Sequence, residues 1–183
     1  VDAGCEYELY ASDITRTYPI NGKFTPAQKN VYEMVLIAQK KAIEEARSGN
    51  KFNAPHKAAL GAIIDGLIDL KLCTGSRNEI EEKESYKDFF MHRTSHWLGL
   101  DVHDAGDYVD SDGKSIKLID GNVLTIEPGC YIKASSKIPK EFWGIGVRIE
   151  DDILINNNNP VVLTERAPKE ISDLESLVGN KND

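Results

Sequence analysis

Two apolar, strand-like runs in the second half of the chain each end in a glutamate. In the first run, Val123, Thr125 and Glu127 share one face, because side chains alternate along a strand. In the second run, Arg148 and Glu150 share a face. Burial of a carboxylate at the end of an apolar strand costs free energy unless the carboxylate is paired. The fold must therefore supply a partner for each glutamate, and Arg148 is one candidate.

Histidines and further carboxylates indicate a metal as the other candidate partner. Three of the chain's four histidines lie between Met91 and Asp104, and histidine is a frequent metal ligand and proton shuttle. The candidate set contains four carboxylates and one imidazole: Asp2, Asp13, Glu127, Glu150 and His96. Such a set suits Mn²⁺ and also Zn²⁺ or Fe²⁺. Two divalent ions would balance four negative charges, so a two-metal centre is predicted if these residues converge.

The spacing of these residues leaves their convergence open. His96 and His103 have opposite parity, so a flat strand would send them to opposite faces, although Gly99 could bend the chain. His92 and His96 would share one helical face, but the Gly, Thr, Ser and Trp residues around them do not favour a helix. His56, in the first turn of another helix, is predicted to be a solvated surface histidine.

The order of elements predicts a single α+β domain over residues 1–183. The first twenty residues are rich in β-formers and are predicted to be extended. Thr25-Pro26 is a helix start, and this helix should reach about Ser48. A second helix should run from about Pro55 to between residues 72 and 75.

The rest of the chain is predicted to alternate between strands and turns. Residues 77–87 are highly charged and predict a short helix or a surface loop. From Trp97 onward the pattern favours strands separated by Gly and Asp turns, with a polar turn at Asn156–Asn159. Residues 165–183 form a charged tail that should fray at its end.

Composition excludes several classes of protein. The formal charge of −8 argues against a nucleic-acid partner, which would need clustered Lys and Arg. No apolar run approaches the ~20 residues of a membrane span. Three widely spaced cysteines, Cys5, Cys73 and Cys130, indicate reduced thiols in a cytoplasmic protein. The chain opens at Val1 in an apparent strand and without an initiator Met, which indicates a fragment.

Four segments in chain order resemble the aminopeptidase P (Xaa-Pro aminopeptidase) family of pita-bread metallopeptidases, which also includes prolidase and methionine aminopeptidase. The segments are Val1–Cys5 with Asp13–Thr17, His92–Asp104, Thr125–Gly129 and Gly144–Asp152. Four ordered motifs together are specific, whereas any one alone would be weak. The resemblance implies a pita-bread (creatinase/aminopeptidase-like) fold, a curved antiparallel sheet with covering helices. Part of its first half would precede Val1.

By motif position, the resemblance implies that five residues hold two divalent ions. Asp2 matches a ligand of one ion and Asp13 a bridging aspartate. His96 and Glu127 match ligands of the second ion, and Glu150 matches the other bridging carboxylate. Mn²⁺ is the expected ion, with Zn²⁺, Co²⁺ and Fe²⁺ as alternatives.

The resemblance also implies catalytic roles for four residues. His92 and His103 match outer histidines that bind substrate and stabilise the tetrahedral intermediate. Arg148 matches a residue that orients the site. Glu127 matches a proton shuttle, while a metal-bridging hydroxide attacks the carbonyl before proline.

The expected function is therefore that of a dinuclear-metal aminopeptidase. It would release the N-terminal residue from peptide substrates with proline second, in the cytoplasm, and the full-length protein would be a homo-oligomer. The alternatives are a prolidase-like Xaa-Pro dipeptidase and an inactive fragment of the same fold. One departure concerns the mouth of the cleft: the family usually has glycine where this chain has Arg93.

Overall fold

Two short antiparallel strand pairs form the start of the chain. The computed structural model describes residues 1–156 and 159–179. The first four strands are β1 (Asp2–Ala3), β2 (Glu6–Tyr7), β3 (Tyr10–Ala11) and β4 (Ile14–Thr15). β1 pairs with β4, and β2 pairs with β3. The extended run predicted here is interrupted at Glu8 and Leu9, whose φ angles of 50° and 69° form a two-residue hairpin turn.

Two long helices follow, and each starts close to its predicted position. α1 (Pro26–Glu45) begins with a capping box, in which Thr25 and Gln28 each accept a hydrogen bond from the other's backbone N–H. It ends at Glu45, before the predicted Ser48. α2 (Ala54–Asp69) also ends earlier than predicted. Lys71 has a φ of 57°, which is incompatible with continuing the helix.

The remaining strands form two groups. Between α2 and these strands, the charged segment of residues 77–87 contains α3 (Arg77–Glu82) and the start of a 3₁₀ turn (Ser85–Asp88). A short helix was one of the two structures predicted for this segment. The later strands are β5 (Val123–Ile126), β6 (Gly129–Tyr131), β7 (Gly146–Arg148), β8 (Asp151–Leu154) and β9 (Val161–Val162). β8 lies between β5 and β9, and β6 pairs with β7, all antiparallel.

The prediction of strands from Trp97 onward was wrong for residues 97–122. That stretch contains isolated bridges, Trp97 to Leu124 and Val109 to Ser115, in place of ladders. Glycines and aspartates are frequent there, and their side chains or φ angles favour bends over continued pairing. The segment nevertheless runs close to β5, because Leu98 N–H donates to Val123 O at 3.2 Å.

The tail is more ordered than its charge suggested. Residues 171–179 form α4 (Ile171–Gly179), and Leu174 is only 4% exposed because it packs into the core. The helix was missed although Ile171, Leu174 and Val178 recur at helical spacing, because the charged residues that precede it suggested an unstructured tail. The end predicted to fray, residues 180–183, and two residues of the predicted polar turn, 157 and 158, lie outside the described residues.

One hydrophobic core joins the helices to the strands. Val35 of α1 and Ile63 of α2 are buried in the same cluster as Leu124, Ile126 and Ile153 of the sheet. α1 and α2 pack against each other, and α1 also contacts β5, β6 and β7. The predicted α+β class is confirmed by this arrangement. Within residues 1–156 and 159–179, no helix is long and apolar enough to cross a membrane.

Candidate metal centre

Strand pairing brings the two glutamates to one end of the β5–β8 ladder. In that antiparallel ladder, Ile126 lies opposite Asp151. Glu127 follows β5 and Glu150 precedes β8, so continuing the register by one residue places them opposite each other. The Glu150 N–H donates at 3.1 Å to the carbonyl of Thr15, which ties β4 to the same place.

The first strand pair adds two aspartates at this end. Asp2 of β1 lies opposite Thr15 of β4, and Asp13 lies just before β4. The Asp13 N–H donates to Asp152 Oδ2 at 3.1 Å, which orients the segment before β4 against β8. Asp2 lies close enough to Asp13 to raise the pKa of the Asp13 carboxyl. Backbone pairing thus positions residues that are far apart in sequence.

Three side chains converge most closely. One ligand atom from each of Asp13, His96 and Glu150 lies within 4.8 Å of the other two. His96 Nε2 is also 3.5 Å from both Asp13 Oδ2 and Glu127 Oε1. The ring therefore presents one nitrogen to a group of carboxylate oxygens.

The tautomer of His96 follows from its second contact. Its Nδ1 lies 2.9 Å from the carbonyl oxygen of Trp97, which can only accept a hydrogen bond. Nδ1 therefore carries the hydrogen, and the neutral ring keeps its lone pair on Nε2. This is the arrangement by which metal-binding histidines are oriented in proteins.

Glu150 is buried and Glu127 and Asp13 are half-buried, which disfavours the charged forms of these three carboxylates. Burial, followed by the negative charges of Glu127 and Asp13, raises the pKa of Glu150 to about 8. Burial is also the main cause that raises the pKa of Glu127 to about 7. Burial and the neighbouring Asp2 raise the pKa of Asp13. A cation among these oxygens would remove the cost of ionising them.

Thr15 and Arg148 hold two of the carboxylates in place. The Thr15 hydroxyl donates to Glu150 Oε2 at 2.5 Å and accepts a hydrogen bond from Arg148 Nε at 3.1 Å. The Arg148 guanidinium also forms an ion pair with Asp2. Arg148 lies in β7 and therefore connects β7 to Asp2 in β1 and to Thr15 in β4.

The two outer histidines also face this site. His103 packs against His96 with ring centroids 4.3 Å apart, so the bends after Gly99 overcome the difference in parity. His92 Nδ1 lies 2.7 Å from the Arg93 carbonyl, and its Nε2 lies 2.8 Å from the Tyr131 hydroxyl. Because the carbonyl requires a donor at Nδ1, the neutral ring accepts the tyrosine O–H at Nε2.

All the predicted site residues line one open cleft of about 590 Å³. The cleft is lined by Asp2, Asp13, His92, Arg93, Ser95, His96, His103, Tyr108, Glu127, Arg148 and Glu150. Four oxygen-donor side chains and one free imidazole nitrogen match the preferences of divalent first-row metals. The residues present therefore fit the predicted metal.

Comparisons with known proteins identify the family of the chain. The Metallopeptidase family M24 profile matches residues 1–157. The chain belongs to this family. The Xaa-Pro aminopeptidase of Haemophilus influenzae is 44% identical over 97% of the chain and 41% of its own length. The Escherichia coli Xaa-Pro aminopeptidase is 42% identical over 97% of the chain and 40% of its own length.

Solved structures of M24 proteins share the fold. The aminopeptidase PepP of Pseudomonas aeruginosa superposes with a TM-score of 0.94 at 46% identity, covering 97% of this chain and 40% of PepP. A substrate complex of a Glu-to-Ala variant of Escherichia coli aminopeptidase P gives 0.91 at 41% identity, covering 97% of this chain and 40% of that protein. The predicted pita-bread fold is confirmed. The chain spans about 40% of the length of these relatives. Membership of the metallopeptidase family M24 implies that the protein binds a divalent metal.

The prediction for His56 was wrong. Its Nδ1 lies 2.8 Å from the hydroxyl of the buried Thr94, and its ring packs 5.6 Å from that of Phe90. Burial lowers the pKa of His56, which favours the neutral ring. Its position in a first helical turn suggested exposure, but the 90–94 segment covers it.

Three residues that contact predicted members of the candidate site were not found from the sequence. Thr15 and Tyr131 contact Glu150 and His92 through their hydroxyls. Asp152 is buried, accepts the Asp13 N–H, and its Oδ1 has no hydrogen-bond partner among the described residues. The available signal was proximity, since each lies within four residues of a predicted ligand. Nearness in sequence to a predicted ligand would also have selected many residues that do not contact the site.

Proposed function

We propose that residues 1–183 supply the catalytic domain of a metal-dependent Xaa-Pro aminopeptidase. This enzyme would release the N-terminal residue from peptides whose second residue is proline. The observation that carries the proposal is the convergence of Asp13, His96 and Glu150 ligand atoms within 4.8 Å. Relatives above 40% identity, which are Xaa-Pro aminopeptidases, support the same substrate class.

The metal ligands in this proposal are the five predicted residues. Asp2, Asp13 and Glu150 would hold one ion, and Asp13, His96, Glu127 and Glu150 the other. Two such ions, for which we propose Mn²⁺, would supply a nucleophile by lowering the pKa of a bound water and would polarise the scissile carbonyl. The Nδ1 contact of His96 with Trp97 O favours this assignment, because it leaves Nε2 free as a ligand.

The other residues would bind the peptide and move its proton. We assign Glu127 to carry a proton on its carboxylate towards the proline nitrogen, the role that its motif position implies. His103 beside His96 would donate a hydrogen bond to the peptide, and His92, held by Tyr131, would contact the peptide as part of the cleft wall. Arg148 would orient Glu150 indirectly, by its hydrogen bond to Thr15, and would orient Asp2 directly, by its ion pair.

Two alternatives keep the same site. A prolidase-like dipeptidase would cleave Xaa-Pro dipeptides in preference to longer peptides, and an inactive fragment would bind metal weakly or not at all. The identity of the relatives favours the aminopeptidase. A cytoplasmic location and a homo-oligomeric full-length protein remain predictions from the sequence.

The first test is the stoichiometry of Mn²⁺ binding, measured by calorimetry on the metal-free chain. We expect two ions per chain, and fewer in Glu150→Gln, because that variant removes one carboxylate charge shared by both ions. Glu44→Gln is the matched control, since Glu44 is exposed on α1 and away from the cleft. The control should bind Mn²⁺ like the unmodified chain.

Hydrolysis then separates the alternatives. With Mn²⁺, Xaa-Pro-Xaa tripeptides should be cleaved faster than Xaa-Pro dipeptides, with release of the first residue detected by chromatography. A preference for dipeptides would favour the prolidase-like reading. Binding of two ions without cleavage of either peptide would mean that this chain is an inactive part of the enzyme.

A further inference from the structure

A side pocket opens beside the metal cleft. It encloses about 310 Å³, and three residues line both spaces: Arg93, Ser95 and Tyr108. His56 and Thr94 contribute to its inner wall. A peptide bound in the cleft could therefore reach the pocket by passing these three shared residues.

Arg93 brings an unpaired positive charge to this boundary. Among residues 1–156 and 159–179, the arginine ion pairs involve Arg16, Arg77 and Arg148, and none of the described pairs uses Arg93. The Arg93 guanidinium lies over the Tyr108 ring, 5.9 Å from its centroid, a distance typical of a cation–π contact. The contact holds the cation at the boundary while leaving its N–H groups free for another partner.

Ser95 adds a hydrogen-bonding group without a partner. Its side chain is 7% exposed, and its hydroxyl oxygen has no hydrogen-bond partner among the described residues. A buried hydroxyl without a partner costs free energy, so an acceptor supplied by a ligand would be favoured there. Together, a guanidinium and a hydroxyl match the oxygens of a carboxylate.

The cleft is also lined by Asp2, Asp13, Glu127 and Glu150, whose charges two bound divalent ions would balance. Arg148 pairs with Asp2, so among the described residues Arg93 is the arginine of the cleft lining without an ion-pair partner. An acidic group would be accepted best next to Arg93. Charge and hydrogen-bonding capacity therefore select the same boundary.

We propose that Arg93 and Ser95 form a carboxylate-binding subsite between the metal cleft and the side pocket. The subsite selects peptides that place a carboxylate there, and this inference rests on the proposed peptidase function. The carboxylate belongs either to the C-terminus of a short peptide or to an acidic side chain. Arg93 is thus a specificity-determining residue.

The test uses peptides that cannot be cleaved. In analogues of Ala-Pro-Ala and Ala-Pro-Glu, a methylene-amine group replaces the scissile amide, and binding to the Mn²⁺-loaded chain is measured by calorimetry. One pair compares Ala-Pro-Ala with its C-terminal amide. The other compares Ala-Pro-Glu amide with Ala-Pro-Gln amide. We expect about fivefold tighter binding of the carboxylate member in one pair.

Variants assign the preference to the subsite. Arg93→Gln should abolish the fivefold difference, and Ser95→Ala should reduce it. Lys140→Gln is the matched control, because Lys140 is also an exposed cation 5.9 Å from an aromatic centroid, that of Trp143, outside the cleft. The control should retain the full preference.

The outcomes separate this inference from the proposed function. Tighter binding of the free acid in the first pair identifies the peptide C-terminus as the group that binds the subsite. Tighter binding of the Glu peptide in the second pair identifies an acidic side chain. No discrimination in either pair, or a preference that survives Arg93→Gln, overturns the subsite. A chain that discriminates normally but never cleaves ordinary Xaa-Pro peptides keeps the subsite and loses the proposed activity.

Discussion

At the scale of single residues, Thr15 links the carboxylates to the rest of the fold. It is 4% exposed, donates to Glu150 and accepts from Arg148. Water cannot replace these contacts at a buried position. Residues that hold ligands in this way affect metal affinity without touching the metal. The sequence motif contains Thr15, but nothing in its spacing distinguishes it from Thr17.

We expect Thr15→Val to weaken Mn²⁺ binding by about tenfold, because Glu150 Oε2 loses its donor while the side-chain volume is kept. Calorimetric dissociation constants would test this. Thr94→Val is the control, since Thr94 is also buried and its hydroxyl contacts a histidine, His56, in place of a carboxylate. Equal loss of affinity in both variants would contradict the assigned role of Thr15.

At the scale of elements, a buried charge cluster joins β8 to three other parts of the chain. Asp151 is 0% exposed and forms ion pairs with Arg16 and Lys169, both at its carboxylate. Gln39 of α1 donates to the same carboxylate. Burial opposes the charge of Asp151, but hydrogen bonds from Lys169 and Thr164 outweigh it and lower its pKa. The cluster anchors the strand that begins after Glu150.

We expect Arg16→Met to destabilise the fold by about 3–5 kcal/mol, because it leaves a buried carboxylate with incomplete compensation. Urea denaturation would measure the loss. The control, Lys29→Met, removes an exposed ion pair of 3.8 Å within α1 and should cost about 0.5 kcal/mol or less. A small effect of Arg16→Met would mean that Lys169 alone balances Asp151.

Element boundaries were predictable where the signals were local. Thr25, Pro26 and Gln28 lie within one helical turn, so the start of α1 followed from the sequence. The strands predicted in residues 97–122 were wrong, because glycines and aspartates bend the chain there and leave isolated bridges in place of ladders. The helix α4 was missed since Leu174 becomes a core residue only once the other elements are in place.

At the scale of the whole molecule, ionisation of the carboxyl groups at the site opposes folding when no metal is bound. Burial raises the pKa of Glu150 to about 8 and those of Glu127 and Asp152 to about 7. Because these folded-state values exceed the unfolded ones, the folded state binds more protons. The contribution of these groups to the stability of the metal-free protein is therefore fully present below their unfolded pKa values and is lost as the pH rises through 7 to 8.

We expect the Tm of the metal-free chain to fall between pH 5 and pH 8.5, and Mn²⁺ to raise it more at pH 8.5. Ions bind the deprotonated carboxylates and so oppose the cost of ionising them. Thermal denaturation with EDTA or Mn²⁺ at both pH values would test this. In Glu150→Gln the fall should be smaller, and a Tm that rises with pH would contradict the argument.

The sequence by itself determined the helix starts and the α+β class, and its motifs predicted a set of site residues that line one cleft. These depend on local spacing, capping and the order of segments. Only the tertiary structure decided that Asp13, His96 and Glu150 meet, that His103 joins them and that His56 is covered. The physical reason is that such meetings depend on the register between distant strands, as between β5 and β8, and local periodicity carries no information about that register.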